Sequence, residues 1–223
     1  MPGAVVLLSG GLDSAVTLSI SLRDGNDTAA LSFRYGQRHL KELDSARAVA
    51  EYCGVEHIIA DLDLSMFRSS LIGSSGEVEK DREGIGKDIP GTYVHARNII
   101  MLSIAAGLCE SLGADRIYIG ANAVDYSGYP DCRKEFFDAF DNMIRAGTKA
   151  GTEGCPVRVV APLLEMPKKD IVALGKQLGT PMELTWSCYS GGEKACGRCD
   201  SCILRLKGFK DAGYKDGIEY ENL

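Results

Sequence analysis

Apolar runs alternate with amphipathic segments along this chain of 223 residues. The short apolar runs, rich in Val, Ile, Leu and Ala, predict five strands, at residues 4–8, 28–33, 57–60, 115–120 and 158–161. Apolar residues at helical spacing predict helices at residues 15 onward, 39–52, 93–112, 133–146 and from Pro167 onward. This alternation is typical of βαβ units. We therefore predict an α/β fold, a doubly wound parallel sheet with helices on both faces.

A glycine-containing turn, Ser9-Gly10-Gly11-Leu12-Asp13-Ser14, follows the first predicted strand and leads directly into a helix. This arrangement brings backbone N–H groups and the positive end of a helix dipole to one point, which attracts phosphate. Both glycines can take positive φ and leave no Cβ in the way of a phosphate, and we expect Asp13 to meet it through an accompanying Mg²⁺. Two other phosphate loops are excluded, because neither G-x-x-x-x-G-K-[ST] nor G-x-G-x-x-G occurs.

A polar, glycine-containing segment at residues 73–92 is too long for a simple connection. It is either a solvated loop or a lid that closes over the nucleotide and excludes water. The helix predicted after it, at residues 93–112, carries Arg97 and Asn98 in its first turns. The arginine either pairs with a surface acid or holds a carboxylate or phosphate. Lys168 lies in the first turn of the last predicted helix, where the helix dipole disfavours a positive charge. A phosphate beside it would offset this unfavourable interaction.

The loop after the fourth predicted strand combines ring-stacking and hydrogen-bonding side chains. Tyr126 can stack on a planar ring, Asp125 and Asp131 can accept from ring N–H and exocyclic amino groups, and Arg133 can meet an anion. The alternative is a turn stiffened by glycine and proline. Because this loop and the glycine turn both follow strands of one parallel sheet, we expect them at the same edge of the sheet.

Four of the eight cysteines have the spacing C-x₇-C-x₂-C-x₂-C and are Cys188, Cys196, Cys199 and Cys202. Four thiolates suit a tetrahedral Zn²⁺ with no open position, which is a structural site; an iron–sulfur cluster is the alternative. We expect this site in a C-terminal helical segment, residues 181–223, packed on a main domain of residues 1–180.

The composition, with 45% hydrophobic and 25% charged residues, is that of an ordinary globular protein. The net charge of −6 disfavours a broad nucleic-acid surface. No apolar run is long enough to span a membrane, and the first apolar run lacks the features of a signal peptide. We expect a cytoplasmic location, where the cysteines stay reduced.

The motif S-G-G-x-D-S after an N-terminal strand resembles the pyrophosphate loop of the ATP pyrophosphatases, which cleave ATP between its α and β phosphates and form adenylates. Two further signatures are D-Y-S-G-Y-P-D-C-R at residues 125–133 and T-W-S-C-Y at residues 185–189. Together the three closely resemble the family of 7-cyano-7-deazaguanine synthases over nearly the whole chain. One departure is His95, which stands where the family usually has proline and alters the turn before Arg97.

The resemblance implies an adenine nucleotide α-hydrolase-like, Rossmann-like fold and a homodimer. It implies a carbon–nitrogen ligase that converts 7-carboxy-7-deazaguanine and ammonia to the nitrile through an adenylated acid and an adenylated amide, for queuosine or archaeosine biosynthesis. It also implies that the four cysteines bind zinc and that ATP, with Mg²⁺, binds to Leu8, Ser9, Gly10, Gly11, Leu12, Asp13, Ser14, Ala15, Val16, Thr17 and Leu18.

We predict that the catalytic residues are Ser9, Asp13, Ser14 and Lys168. We further predict that the deazaguanine ring and its carboxylate are bound by Arg97, Asn98, Asp125, Tyr126, Asp131 and Arg133. Two other functions stay open at this point. A tRNA-modifying ATP pyrophosphatase would need a basic RNA surface or an added RNA-binding domain, and a nucleotide-sensing zinc module would bind ATP without turnover.

Overall fold

The computed structural model describes residues 3–37, 40–67, 69, 71–72, 78–81, 91, 93–122 and 129–221. Its strands form one five-stranded parallel sheet in the order β3-β2-β1-β4-β5. The strands are β1 (Gly3–Leu7), β2 (Asp27–Arg34), β3 (Glu56–Asp61), β4 (Ala114–Ile119) and β5 (Arg158–Val160). The predicted parallel α/β sheet is therefore confirmed.

Helices cover both faces of this sheet. They are α1 (Leu12–Arg23), α2 (Lys41–Cys53), α3 (Arg97–Leu112), α4 (Lys134–Gly147), α5 (Lys149–Thr152), α6 (Lys168–Gln177) and α7 (Asp200–Asp211). Two single 3₁₀ turns, Pro130–Cys132 and Met182–Leu184, complete the regular structure of the described residues. Among these residues, no helix combines the length and the apolar character that crossing a membrane requires.

Nearly every residue of the first strand is buried, and successive side chains point to opposite faces of the sheet. Val5 and Leu7 pack with α3 and α4, whereas Val6 and Leu8 pack with α1, α2 and α6. Such burial on both faces explains why the strand reads as a continuous apolar run. Phe209 of α7 packs in the same cluster as Val6 and Leu8, so the C-terminal helix lies on this face of the sheet.

Four of the predicted helix starts differ from the structure: α1 begins three residues earlier than predicted, α3 four residues later, and α4 and α6 one residue later. Helix α3 begins at Arg97 and not at Tyr93, because Ala96 has a left-handed backbone with φ of +54° that a continuous helix does not accommodate. Helix α6 begins at Lys168, and Pro167 precedes it in extended conformation with ψ of 151°. Helix α2 begins at Lys41; the predicted start, His39, lies outside the described residues.

The strand order reverses direction at β1, which lies between β2 and β4. In open α/β sheets the crevice at such a switch point, beyond the carboxyl ends of the strands, is where ligands bind. The glycine-containing turn at residues 9–14 connects β1 to α1 at this position. The topology therefore places the predicted phosphate loop at the point where an α/β sheet offers a binding site.

Candidate active site

The turn after β1 presents the start of helix α1 to a cavity. Gly11 is the residue before the helix, and no side chain of the described residues caps the backbone N–H groups of its first turn. The Ser9 and Ser14 hydroxyl oxygens lie 3.0 Å apart, and the Gly11 N–H donates to Ser9 Oγ at 3.2 Å. Uncapped N–H groups, two hydroxyls and the helix dipole together form an anion-binding site.

The two glycines of this turn have different roles. Gly10 has φ of +89°, a conformation that favours glycine, whereas Gly11 has φ of −79°, which any residue can adopt. A Cβ on Gly10 would overlap the carbonyl oxygen of Glu42 and would lie 2.9 Å from the backbone nitrogen of Ala46. Gly10 is thus required by the close packing of helix α2 against the turn.

A cavity of about 300 Å³ opens at this turn. This volume is at the lower end of the range for small-molecule sites. The lining includes both apolar and polar groups. Of the site residues predicted from sequence, those that line the cavity are Leu8, Ser9, Gly11, Leu12, Asp13, Ser14, Arg97, Asn98, Lys168 and the predicted metal ligand Cys188. Ala15, Val16, Thr17 and Leu18 are fully buried under it, so their side chains support the loop from the core.

Lys168 reaches the phosphate loop from helix α6. Its Nζ lies 2.7 and 2.9 Å from the two carboxylate oxygens of Asp13, and both side chains are mostly buried. The stem of Lys168 is held by helix α7, since a Cβ on Gly208 would overlap Lys168 Cγ. The segment before α6 is fixed to the end of β4, because Asn122 Nδ2 donates to the carbonyl of Met166 at 2.6 Å. The cation is therefore held rigidly beside the anion site.

Arg97 brings a second positive charge to the cavity. Burial acts to lower its pKa, but electrostatic interactions with Tyr35, Tyr129 and Tyr189 and a hydrogen bond with Tyr35 outweigh this and raise the pKa overall. The guanidinium therefore stays charged at every physiological pH. Its position depends on the left-handed backbone of Ala96, a conformation that costs a non-glycine residue about 1 kcal/mol or more.

Glu42 of helix α2 also lines the cavity. Burial raises the pKa of its carboxyl from 4.5 to about 7, although the positive charge of Arg97 acts in the opposite direction. The cavity therefore contains a carboxyl group whose charge changes near neutral pH.

Asp131 lies behind the cavity wall and is 6% exposed. Its Oδ2 accepts from the Asn98 backbone N–H at 3.2 Å, and its carbonyl accepts from Asn98 Nδ2 at 3.0 Å. These bonds fix the first turn of α3, which carries Arg97. Arg133 is exposed and precedes helix α4. Asp125 and Tyr126 lie outside the described residues.

Cys132 lines the cavity, and its Sγ lies 3.4 Å from Asn98 Nδ2. Burial raises the pKa of its thiol to about 12. A thiol with this pKa is protonated at neutral pH, so it is not an activated nucleophile.

The four predicted metal ligands come together in one buried cluster. The sulfur atoms of Cys188, Cys196, Cys199 and Cys202 all lie within 4.8 Å of one another. Four sulfurs around one tetrahedral metal ion, at about 2.3 Å each, would lie about 3.8 Å apart, so the cluster fits a metal with a small adjustment. The residues present therefore match a closed four-thiolate site.

Backbone N–H groups surround these sulfurs. Cys188 Sγ accepts from the N–H of Ser190 at 3.4 Å and of Cys196 at 3.3 Å, and Cys196 Sγ accepts from the N–H of Cys199 at 3.3 Å. Hydrogen bonds from the Cys199 and Cys202 thiols and from the backbone lower the pKa of Cys188. Donors of this kind stabilise thiolates and orient them for a metal ion.

Sequence reasoning missed several residues of the cavity, among them Tyr35, Glu42 and Ser187. A signal for the first existed, because Tyr35 directly follows β2, the strand next to β1, and carboxyl ends of neighbouring parallel strands meet at one edge. Ser187 belongs to the T-W-S-C-Y signature at residues 185–189, to which we assigned no role beyond the family resemblance. Its contact with residues 9–14 could not be predicted, because the two segments are far apart in the sequence.

The fold and this site define an α/β protein of the ATP pyrophosphatase class, in which the central strand of a parallel sheet leads into an S-G-G-x-D-S loop. The family model described as "Queuosine biosynthesis protein QueC" matches residues 3–213, and the chain belongs to this family.

Two curated relatives are similar over nearly their whole length. The chain is 52% identical to the 7-cyano-7-deazaguanine synthase of Thermoplasma acidophilum over 220 residues, which are 98% of this chain and 92% of the relative. It is also 52% identical to the 7-cyano-7-deazaguanine synthase of Acetivibrio thermocellus over 221 residues, which are 99% and 98% of the two chains.

Among solved structures, a 4-thiouridine synthetase–RNA complex with bound ATP superposes with a TM-score of 0.47 at 20% identity. This match covers 95% of this chain and 51% of that one.

Proposed function

We propose that this chain is an ATP-dependent carbon–nitrogen ligase that converts 7-carboxy-7-deazaguanine and ammonia to 7-cyano-7-deazaguanine. The observation that carries the proposal is the meeting of the S-G-G-x-D-S loop, Lys168 and Arg97 at one cavity, in a chain 52% identical to synthases of that name. A carboxylate is a poor electrophile, and an enzyme that aminates it must first attach a good leaving group.

The phosphate loop supplies the first requirement, a grip on the leaving diphosphate. The backbone N–H groups at the start of α1 and the Ser9 and Ser14 hydroxyls bind the phosphates, and Lys168 offsets the charge that develops on them. Asp13 and the serine hydroxyls are the oxygen ligands that Mg²⁺ prefers, so the loop fits an ion that arrives with ATP. When bound, that ion would neutralise phosphate charge. With the diphosphate held by the loop and Lys168, AMP is transferred to the substrate carboxylate, and pyrophosphate leaves.

Arg97 supplies the second requirement, a fixed cation for the substrate carboxylate. Its guanidinium is charged and lies in the cavity wall, and Asn98 and Asp131 hold the turn that carries it. Ammonia then displaces AMP to give the amide. The amide oxygen is adenylated in the same way by a second ATP, and loss of this AMP with two N–H protons leaves the nitrile. The residues contribute positioning and charge stabilisation, and no covalent enzyme intermediate is needed.

The remaining parts of the proposal concern ring recognition, the metal and assembly. Asp125 and Tyr126 recognise the deazaguanine ring, and Asp131 contributes by holding the turn that carries Arg97. Arg133 is the alternative to Arg97 near the substrate carboxylate. The four cysteines hold a structural Zn²⁺ that stabilises the C-terminal segment. The protein is a cytoplasmic homodimer that feeds 7-deazapurine biosynthesis, of queuosine or archaeosine, without binding nucleic acid itself.

The test is a reaction of the full chain with ATP, Mg²⁺, ammonium and 7-carboxy-7-deazaguanine, followed by mass analysis of the products. We expect the nitrile, with two AMP formed for each nitrile and no requirement for RNA. AMP release that depends on added tRNA would instead favour an RNA-modifying pyrophosphatase. ATP binding without turnover would favour a nucleotide sensor. Metal analysis of the same preparation decides between zinc and iron at the cysteine cluster.

A further inference from the structure

The segment that leads into the cysteine cluster lies directly against the phosphate loop. The backbone N–H of Trp186 donates to the carbonyl of Gly10 at 2.9 Å. A Cβ built on Gly11 would be 3.7 Å from the Trp186 carbonyl oxygen and 4.0 Å from Ser187 Oγ. Ser187 also lines the cavity. A hydroxyl group from this distant part of the sequence is therefore placed beside the anion-binding start of helix α1.

A fully buried arginine fixes the position of Ser187. The Arg205 side chain is 2% exposed and pairs with Asp216, through Nε at 2.6 Å and Nη2 at 2.9 Å. Its other N–H groups donate to Thr185 Oγ1 at 2.7 Å, Ser187 Oγ at 3.2 Å and the carbonyl of Met182 at 3.0 Å. All five guanidinium hydrogens thus have acceptors, so this side chain has one fixed geometry.

This arrangement determines where the hydrogen of the Ser187 hydroxyl can go. A guanidinium only donates, so Ser187 Oγ must be the acceptor of that bond, and its own hydrogen must point elsewhere. The hydroxyl of Thr185 donates back to the Met182 carbonyl at 2.6 Å. For the Ser187 hydroxyl, the described residues offer no hydrogen-bonded acceptor, and the cavity lies beside it. Accepting from a cation also makes this hydroxyl a stronger donor.

From this geometry we infer that Ser187 is a further nucleotide-binding residue, which donates a hydrogen bond to a phosphate oxygen of ATP, and that Arg205 is the positioning residue that aims it. The inference rests on the proposed function, because it takes the cavity as the ATP site. The proximity to Gly11 assigns the contact to the diphosphate that leaves in the reaction. Arg205 lies one helical turn after Cys202, so the helix that carries a metal ligand also fixes a phosphate donor.

The test compares Ser187→Ala with wild type in the binding of Mg²⁺–ATP and of pyrophosphate by calorimetry, and in the Michaelis constants of the reaction. A hydrogen bond to a charged group is worth enough that we expect both dissociation constants to rise about tenfold or more. The Michaelis constant for 7-carboxy-7-deazaguanine should stay within about twofold. Ser187→Ala also removes one acceptor of the buried Arg205 guanidinium, so the melting temperature should fall moderately; the fall should be smaller than for a fully buried acceptor, because water in the cavity can replace the hydroxyl.

Thr185→Val is the matched control. It removes the other hydroxyl that the same Arg205 nitrogen contacts, but this one is buried away from the cavity. We expect it to lower the melting temperature and to leave ATP affinity unchanged. Arg205→Lys should weaken ATP binding in wild type but have a smaller effect on ATP binding in Ser187→Ala, since two changes that act through one hydroxyl are not additive. If Arg205→Lys does not fold, the comparison of Ser187→Ala with Thr185→Val still tests the inference.

Two results would overturn the inference. One is a dissociation constant for ATP in Ser187→Ala within twofold of wild type. The other is an equal loss of ATP affinity in Thr185→Val. Failure of the proposed function looks different, because wild type itself would then release no pyrophosphate with ATP, ammonium and the deazapurine acid.

Discussion

Lys168 Nζ lies 2.7 Å from Asp13 Oδ2, and the two side chains are only 10% and 20% exposed. They are separated by 155 positions in the sequence and meet because α6 and α1 pack side by side on the sheet. The lysine occupies the first turn of α6, where the helix dipole disfavours a cation. A phosphate bound at the loop would offset this unfavourable interaction. We therefore expect the leaving diphosphate to bind on the side of the cavity where Lys168 and Asp13 lie.

Lys168→Met should lower kcat for pyrophosphate release about 100-fold or more, because it removes a cation held next to the leaving diphosphate. The measurement is the initial rate of pyrophosphate formation at saturating ATP. Lys169→Met, in the same turn but exposed to solvent, should retain the wild-type rate. Equal rates for both variants would exclude Lys168 from the reaction.

Gly10→Ala should destabilise the protein severely, by about 3 kcal/mol or more. The added Cβ would overlap the Glu42 carbonyl, and the backbone has φ of +89°. Gly25→Ala is a matched control, because Gly25 has φ of +78° and a Cβ added there would have no atom within 4 Å. It should cost only the backbone strain, about 1–2 kcal/mol. Urea denaturation of both variants measures the difference, and equal losses would contradict the steric explanation.

Cys199→Ser should release the bound metal and lower the free energy of unfolding by about 3 kcal/mol or more, since a closed four-thiolate site contributes directly to folding. Cys155→Ser, at an exposed cysteine outside the cluster, should leave both quantities unchanged. Metal content by elemental analysis and the melting temperature are the measurements. A stable Cys199→Ser protein with full metal content would show that this thiolate is not a ligand.

Glu42→Gln should change how stability depends on pH. Because burial raises the pKa of Glu42 from 4.5 to about 7, the folded state holds an extra proton between these values. The wild-type free energy of unfolding should therefore fall as pH rises through this window, by at most about 3 kcal/mol. Glutamine cannot ionise, so the variant should gain stability relative to wild type at pH 8 but not at pH 4.5.

The control for this titration is Glu51→Gln, at a solvent-exposed position of the same helix. Denaturation curves of wild type and both variants at pH 4.5 and pH 8 make the comparison. If Glu42→Gln shifts stability equally at the two pH values, the buried carboxyl does not ionise in this window.

The sequence by itself determined the fold class and the phosphate loop. Strands such as β1 are buried on both faces, so their apolar runs stand out without any alignment, and strand, turn and helix are local features. The cysteine cluster was also predictable, because its spacing encodes the geometry of a tight metal-binding turn and the four sulfurs do converge. In each case the residues that act together are close in sequence or follow a short repeat.

Tertiary structure alone decided which distant side chains meet. The partnership of Lys168 with Asp13, the packing of α2 against Gly10 and the contact of Ser187 with the loop all join residues from separate elements. The positive φ of Ala96, which sets the start of α3, has no local signal either. The physical reason is that periodicity records which face of an element is buried, but not which element covers it; that is settled only when the helices pack on the sheet.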